Sequence, residues 1–341
     1  MSFEILKQRV ASDRKTWLVT GAAGFIGSHL VEHLLDLNQQ VVAIDNFSVG
    51  TKANLDAIAE SVGADRYSER FSFIEGDISD YDTCQAVCQN VDYVLHQAAL
   101  CSVPLSLENP LASHASNVSG SLNLMRASQQ AKVKRFVYAS SSAVYGDQPL
   151  LPNRESLTGR QLSPYAVGKY ICELYAKNFF DCYQLQTIGL RYFNIFGPRQ
   201  SAQGAYAAVI PCFVRDILNN TSIQIYGDGK TGRDFCYIDN VVQANLLAAL
   251  TASSECFGQA FNVSSGEQTS ILDLYRLIKQ YLNENFPELA VREPVYRDFR
   301  PGEVRHSLGD VSKLTTTMGY SPSHIFTEGL ATTLDWYLQN R

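Results

Sequence analysis

Tyr165 and Lys169 stand four positions apart, directly after Ser163-Pro164. That spacing puts both side chains on one face of a helix. Ser163 offers a capping hydroxyl and Pro164 a first-turn residue with a fixed φ, so the pair opens the helix it belongs to. A tyrosine ordinarily ionises near pH ~10. The positive end of a helix dipole and a neighbouring ammonium both favour the phenolate. A phenol lowered in this way is a general base for work near neutral pH. Ser141 lies upstream in Tyr138-Ala139-Ser140-Ser141-Ser142-Ala143-Val144-Tyr145-Gly146, at the expected C-terminal end of a strand. Open α/β sheets bind their ligands at that edge. The Ser141 hydroxyl can hold a substrate oxygen in line with Tyr165, and the chemistry these three residues predict is removal of a proton from an alcohol.

A second group supplies the partner reaction. Gly21-Ala22-Ala23-Gly24-Phe25-Ile26-Gly27 follows the apolar run Trp17-Leu18-Val19-Thr20. The pattern is Gly-x-x-Gly-x-x-Gly, not the simplest Gly-x-Gly-x-x-Gly. The first glycine permits a tight turn, the second lets backbone approach a pyrophosphate, and the third lets helix and strand pack closely. The helix amides then face the phosphates. Asp45, eighteen positions past Gly27, ends the next apolar run. A carboxylate there accepts from adenine-ribose hydroxyls and repels a 2′-phosphate, which selects NAD over NADP. Asp77 is a candidate acceptor for the adenine amino group. Gln97-Ala98-Ala99 closes another strand in small residues that let a cofactor pass. A positive nicotinamide ring beside Tyr165 would further favour its phenolate. Together the two groups predict redox chemistry on an alcohol carbon.

These side chains require a sheet to position them. Trp17–Thr20, Val41–Ile44, Phe71–Ile74, Val91–Gln97, Arg135–Ser140 and Thr187–Phe193 read as strands, and helical stretches separate most of them. The first helix is expected from about 24 to 37. Alternating strands and helices predict an α/β fold with a doubly wound parallel sheet. After Asn194 the texture changes to short segments rich in glycine, proline and aspartate. The expected organisation is a cofactor domain over 1–195 plus about 236–264, with Phe235–Leu250 and Gln259–Val263 returning to the main sheet. A smaller α/β substrate domain spans about 196–235 plus 265–341.

The chain has 341 residues and a formal net charge of −6, so its overall field offers nothing to nucleic acid or anionic lipid. Met1 to Lys15 carries charged residues and no apolar signal core. No run approaches membrane-spanning length, and a cytoplasmic protein is expected. The eight cysteines include no Cys-x-x-Cys; Cys84 and Cys88 have helical spacing without a partner pair. Reduced thiols and no metal site are expected.

With Asp45-Asn46, Gly76-Asp77, His96-Gln97-Ala98-Ala99 and Arg191-Tyr192-Phe193-Asn194 added to the glycine turn, the serines and the Tyr165/Lys169 pair, the chain resembles the extended short-chain dehydrogenase/reductase family over nearly its full length. Within that family it looks most like nucleotide-sugar 4-epimerases, and most of all the subgroup acting on UDP-N-acetylglucosamine. Gly204-Ala205-Tyr206-Ala207-Ala208-Val209-Ile210-Pro211 and Arg233-Asp234-Phe235-Cys236-Tyr237-Ile238-Asp239 carry the finer match. The resemblance implies that Tyr165 takes the proton of the sugar 4-hydroxyl while C4 gives hydride to bound NAD. The 4-keto sugar then turns about its pyrophosphate link and is reduced on its other face. It implies cofactor contacts at Phe25, Ile26, Asn46, Gly50, Ile78 and Tyr192 beside those already named. It places the UDP-sugar against Cys101, Ser102, Ser142, Asn194, Ala208, Val209, Arg233, Arg300 and Ser307. Arg233 and Arg300 suit pyrophosphate on their own chemistry, because a guanidinium presents planar paired donors. Apolar faces on helices around 113–130 and 164–181 fall where the family forms a four-helix homodimer interface. The resemblance also implies a part in making precursors of surface polysaccharide.

Substrate choice turns on a few positions. Epimerases confined to plain hexoses are expected to carry a bulky tyrosine near Ser307; a small residue leaves room for an N-acetyl group. Ala208 and Cys101 are also small. The chain departs from the subgroup at Cys101-Ser102-Val103-Pro104-Leu105, where Gly-Ser-Val-Pro-Arg is usual. UDP-glucose/UDP-galactose and UDP-uronic acid 4-epimerisation are the alternatives. A 4,6-dehydratase or a UDP-glucuronate decarboxylase would want acids where Ser142 and Ala143 stand. A non-catalytic NAD sensor would have lost the Tyr165/Lys169 pair.

Overall fold

The computed structural model describes residues 3–202, 207–289, 291–299 and 304–340. Thr16–Thr20 (β1), Gln40–Asp45 (β2), Phe71–Glu75 (β3), Tyr93–His96 (β4), Arg135–Ser141 (β5) and Thr187–Tyr192 (β6) are strands of one sheet. Asn194–Phe196 (β7), Gln224–Tyr226 (β8), Gly232–Arg233 (β9) and Phe235–Tyr237 (β10) follow. Gln259–Val263 (β11), Thr269–Ser270 (β12) and Val295–Arg297 (β13) complete the set.

The main sheet has seven parallel strands in the order β11-β6-β5-β4-β1-β2-β3. Its order reverses between β1 and β4, the point where a doubly wound sheet opens a crevice beyond its carboxyl edge. The strands read as apolar runs because both faces are covered. Along β1, Trp17 and Val19 enter one core with Leu30, Leu34 and Val241, while Leu18 enters the other with Val94, Leu124 and Phe136. That alternation is the period of a strand. The helices Phe25–Asp36 and Ile238–Leu250 pack together on one face; Tyr81–Val87, Gly120–Gln130 and Pro164–Tyr183 cover the other.

The α/β expectation is met, and Gln259–Val263 does join the main sheet, beside β6. Phe235–Tyr237 does not: it pairs with Asn194–Phe196 as a separate two-stranded ladder. Only the helix after it, Ile238–Leu250, returns to the sheet. The reason is local packing, since Phe235 and Phe196 meet edge to face in an aromatic cluster with Phe326 and Tyr237. Residues 3–12, read from sequence only as a charged segment, form the helix Phe3–Ser12, which buries Leu6 and Val10.

Candidate active site

The glycine turn joins β1 to the helix Phe25–Asp36, with Gly24 at the helix N-cap. Gly21 has φ +67°, and a Cβ there would stand 2.8 Å from the Ala98 amide nitrogen. A Cβ on Gly27 would stand 2.0 Å from the Gly21 carbonyl oxygen. Gly50 is drawn in as well: Thr51 N donates to Ala23 O at 3.0 Å, and a Cβ on Gly50 would stand 2.7 Å from the Ala23 carbonyl carbon. Asp45 fixes the turn from the side. Its carboxylate accepts from the Ala23 amide at 2.9 Å and the Phe47 amide at 2.8 Å. Burial raises its pKa and the amides oppose that rise. A carboxylate has about four lone-pair sites, so acceptor capacity remains for ribose hydroxyls. Asn46 donates to Asp77 at 2.7 Å, and Asp77 also accepts the Ser79 amide at 2.7 Å. Ile78 is 5% exposed and its side chain lies in the core against Gly120. A cradle lined by glycines that no Cβ could replace, with a buried carboxylate at its rim, fits a dinucleotide.

Gln97, Tyr192 and Asn245 form one polar group. The Tyr192 hydroxyl donates to Gln97 Oε1 at 3.2 Å, and Asn245 Nδ2 donates to the Tyr192 hydroxyl oxygen at 2.8 Å. The hydroxyl of Tyr192, a residue that the resemblance assigns to cofactor contact, is thus engaged within the protein. Ala98 N donates to Thr20 Oγ1 at 3.2 Å, which holds the small residues beside Gly21.

The candidate catalytic residues Tyr165 and Lys169 share one helix, as their spacing predicts. Ser163 Oγ caps the helix Pro164–Tyr183 by accepting the Ala166 amide at 3.2 Å. Ser141 ends β5, accepts the Ala143 amide at 3.1 Å, and favours the Tyr165 phenolate. Lys169 Nζ lies 6.0 Å from the Tyr165 ring centroid and donates to the Ala139 carbonyl at 2.7 Å. One expectation needs correction. Burial pushes the Tyr165 phenol well above its ordinary value, the nearby Cys101 thiol adds to that, and only Ser141 works against it. Burial likewise lowers the Lys169 ammonium. Helix and lysine alone therefore do not ionise this tyrosine: desolvation is the larger effect.

A cavity of about 660 Å³ gathers Asn194, Ala208, Val209 and Arg233 in one wall. Asn194 Nδ2 donates to Ser307 Oγ at 3.1 Å, which ties Ser307 to the group. Arg233 Nη1 donates to the Gly232 and Arg305 carbonyls at 3.0 and 3.1 Å. Asp234 accepts the amides of Ser265, Gly266 and Gly309, and Asp228 pairs with Arg305. Ser102 caps the helix Val103–Glu108 by accepting the Leu105 amide, and Ser142 opens a short 3₁₀ turn. Cys101 is exposed. Arg300, Gly204, Ala205 and Tyr206 lie outside the described residues. All eight cysteines are free thiols. Among the described residues, no three His, Cys, Asp or Glu side chains cluster as metal ligands, and no helix is long and apolar enough to cross a membrane.

The sequence reading missed Asn117 and Asn245. Asn117 sits in a π-helical turn, Ala115–Ser119, where its side chain bonds both polar groups of the Leu100 backbone. Nothing in the local pattern marks such a turn, although these turns often mark functional sites.

A family model described as the NAD dependent epimerase/dehydratase family matches residues 17–264. The chain belongs to that family. NAD is its cofactor, in keeping with the glycine cradle and Asp45. A solved UDP-N-acetylglucosamine 4-epimerase from Methanobrevibacter ruminantium, in complex with UDP-N-acetylmuramic acid, is 38% identical with a TM-score of 0.87, over 96% of this chain and 100% of that one. A UDP-glucose 4-epimerase of Mycolicibacterium smegmatis is 34% identical over 94% of this chain and 97% of its own. A UDP-glucuronic acid 4-epimerase from Bacillus cereus, solved with UDP-glucuronic acid and NAD, is 30% identical with a TM-score of 0.84, over 96% and 100%.

Proposed function

We propose that this protein is an isomerase that inverts C4 of UDP-N-acetylhexosamines, interconverting UDP-GlcNAc and UDP-GalNAc. The observation that carries the reading is the meeting of Ser141, Tyr165 and Lys169 at the carboxyl edge of β5. Tyr165 takes the proton of the sugar 4-hydroxyl and later returns it. Ser141 holds the same oxygen in line. Lys169 keeps a positive charge beside the phenol and is itself anchored on Ala139. NAD held by the glycine cradle and Asp45 would supply a hydride acceptor for C4 and a positive charge to offset the burial of the phenolate. Asn194 and Arg233 face the nucleotide, and Arg300 is assigned to the same pyrophosphate. The firm grip falls on the nucleotide and leaves the hexose free to turn. Ser307, held against Asn194, makes the sugar side roomy. The 38% identity to a UDP-N-acetylglucosamine 4-epimerase supports the N-acetylated substrate.

The residues divide between the two ligands: 1–195 and about 236–264 for NAD, about 196–235 and 265–341 for the UDP-sugar. The protein acts in the cytoplasm, on precursors of surface polysaccharide, as a homodimer. The dimer reading is supported by apolar side chains left exposed on the helix Pro164–Tyr183, Val167 and Leu174; sedimentation at micromolar concentration giving only a monomer would remove it. Side-by-side kinetics on UDP-GlcNAc, UDP-glucose and their uronic acids test the substrate. The highest kcat/KM is expected with UDP-GlcNAc. A higher value with UDP-glucose or a uronic acid transfers the assignment to that sugar.

A further inference from the structure

The catalytic helix is pinned to its sheet by a second charged group. Glu173 lies one turn beyond Lys169 on the same helix face. Its Oε1 accepts from Ser140 Oγ at 2.5 Å and from Arg191 Nε at 2.9 Å, and its Oε2 accepts from Arg191 Nη2 at 2.7 Å. Exposure is 9% for Glu173, 4% for Arg191 and 3% for Ser140, so solvent does not loosen the group. Arg191 is held again by the Glu155 carbonyl at 3.2 Å and by the Tyr145 ring, whose centroid lies 4.9 Å away.

Placement gives the group its meaning. Ser140 precedes Ser141, Arg191 precedes Tyr192, and the strand register pairs Ser140 with Arg191 and Ser141 with Tyr192. Tyr165, Lys169 and Glu173 form a row on the helix, and that row meets Ser141, the Ala139 carbonyl and Ser140 on β5. The first of these contacts is the reacting one; the other two fix how far the helix slides and turns against the strand. Stability alone does not call for a buried ion pair, because well-packed apolar residues serve as well or better. A bidentate carboxylate–guanidinium pair does supply fixed geometry.

We propose that Glu173, acting through Ser140 and Arg191, is a positioning residue that sets the Ser141–Tyr165 contact. The inference rests on Tyr165 being the base. The test uses NAD-loaded protein carrying Glu173→Met with Arg191→Met, which leaves no unpaired buried charge. A shift of about 1 Å in reacting groups costs on the order of 10²-fold in rate. A fall in kcat of at least about thirtyfold is therefore expected, with the UDP-sugar KM within about threefold and an undiminished melting temperature. A kcat within about threefold of the parent in the folded double variant overturns the proposal. Ser140→Ala covers the case in which the double variant does not fold: a lower kcat at unchanged KM and melting temperature is expected, and an unchanged kcat overturns it. A crystal structure of either variant provides an arm independent of turnover. A Ser141–Tyr165 side-chain separation changed by about 1 Å from the parent's is expected; an unchanged separation overturns the proposal. Should the parent protein fail to epimerise UDP-sugars, the function falls while the structural arm still decides the clamp.

Discussion

A buried tyrosine resists ionisation, and Tyr165 is buried. The proposed use of Tyr165 as a base requires Lys169 and the charge of the cofactor to join Ser141 against desolvation. Tyr165→Phe keeps the ring and removes only the hydroxyl. We expect kcat to fall by about 10²-fold or more, the range for losing a general base, while NAD content and UDP-sugar affinity stay near the parent. Near-parental turnover in that variant would refute the assignment. Ser307 raises a different residue-level question, because its hydroxyl accepts from Asn194 at 3.1 Å and its small size is what would admit an acetamido group. Ser307→Tyr should lower kcat/KM for UDP-GlcNAc about tenfold more than for UDP-glucose, the usual scale for a pocket that discriminates by volume. Equal losses on the two sugars would mean that Ser307 does not line the acetamido side.

At the scale of elements, the strand–turn–helix unit from β1 through Phe25–Asp36 is the least tolerant piece of the fold. A methyl group at Gly27 would overlap the Gly21 carbonyl oxygen, a backbone atom that no rotamer change can move aside. Gly27→Ala should therefore open the turn, cost about 1–3 kcal/mol of stability and release NAD. Full NAD content after gel filtration of the variant would show that the turn accommodates the methyl. This unit was legible in the sequence because glycine spacing, an apolar strand and a terminal aspartate report one geometry. The same holds for the inner strands of the main sheet, β1 and β4 above all, whose two-sided burial makes them largely apolar. Other elements left no such trace. The β7–β10 ladder is three residues long on each side, too short for a period to register. The π-helical turn that presents Asn117 has no sequence signature. Asp234 was visible only as a charge beside Arg233, yet it is spent on backbone amides of a loop distant in sequence. Tyr165 and Lys169 share one helix as their spacing predicts; the weight of desolvation on the phenol was not legible, because burial is a property of the assembled layers.

For the whole molecule, the two most deeply buried histidines connect the layers and give the fold an acid limit. His96 joins β1 to the helix Gly120–Gln130, through Thr20 Oγ1 at 2.7 Å and Ser121 Oγ at 2.9 Å. Burial lowers its pKa from 6.5 to about 3. His29 faces the Pro198 carbonyl at 2.9 Å, and burial, followed by the charge of Arg199, holds it well below its ordinary value too. Below pH ~6.5 an unfolded chain protonates both rings while the native protein leaves them neutral. The unfolded state then binds more protons, so the stability these groups contribute is fully present above that pH. It is lost as pH falls through 6.5, and for His96 the loss continues towards about 3. At pH ~5.5 each histidine should cost about 1 kcal/mol relative to neutral pH. Urea midpoints at the two pH values, with NAD kept saturating so that ligand binding contributes equally, should therefore differ. His96→Asn should remove about half of that difference, since one of the two proton uptakes disappears. A midpoint that does not move between the two pH values, or a variant with the parent's full pH dependence, would mean that these rings are not buried neutral in the folded protein.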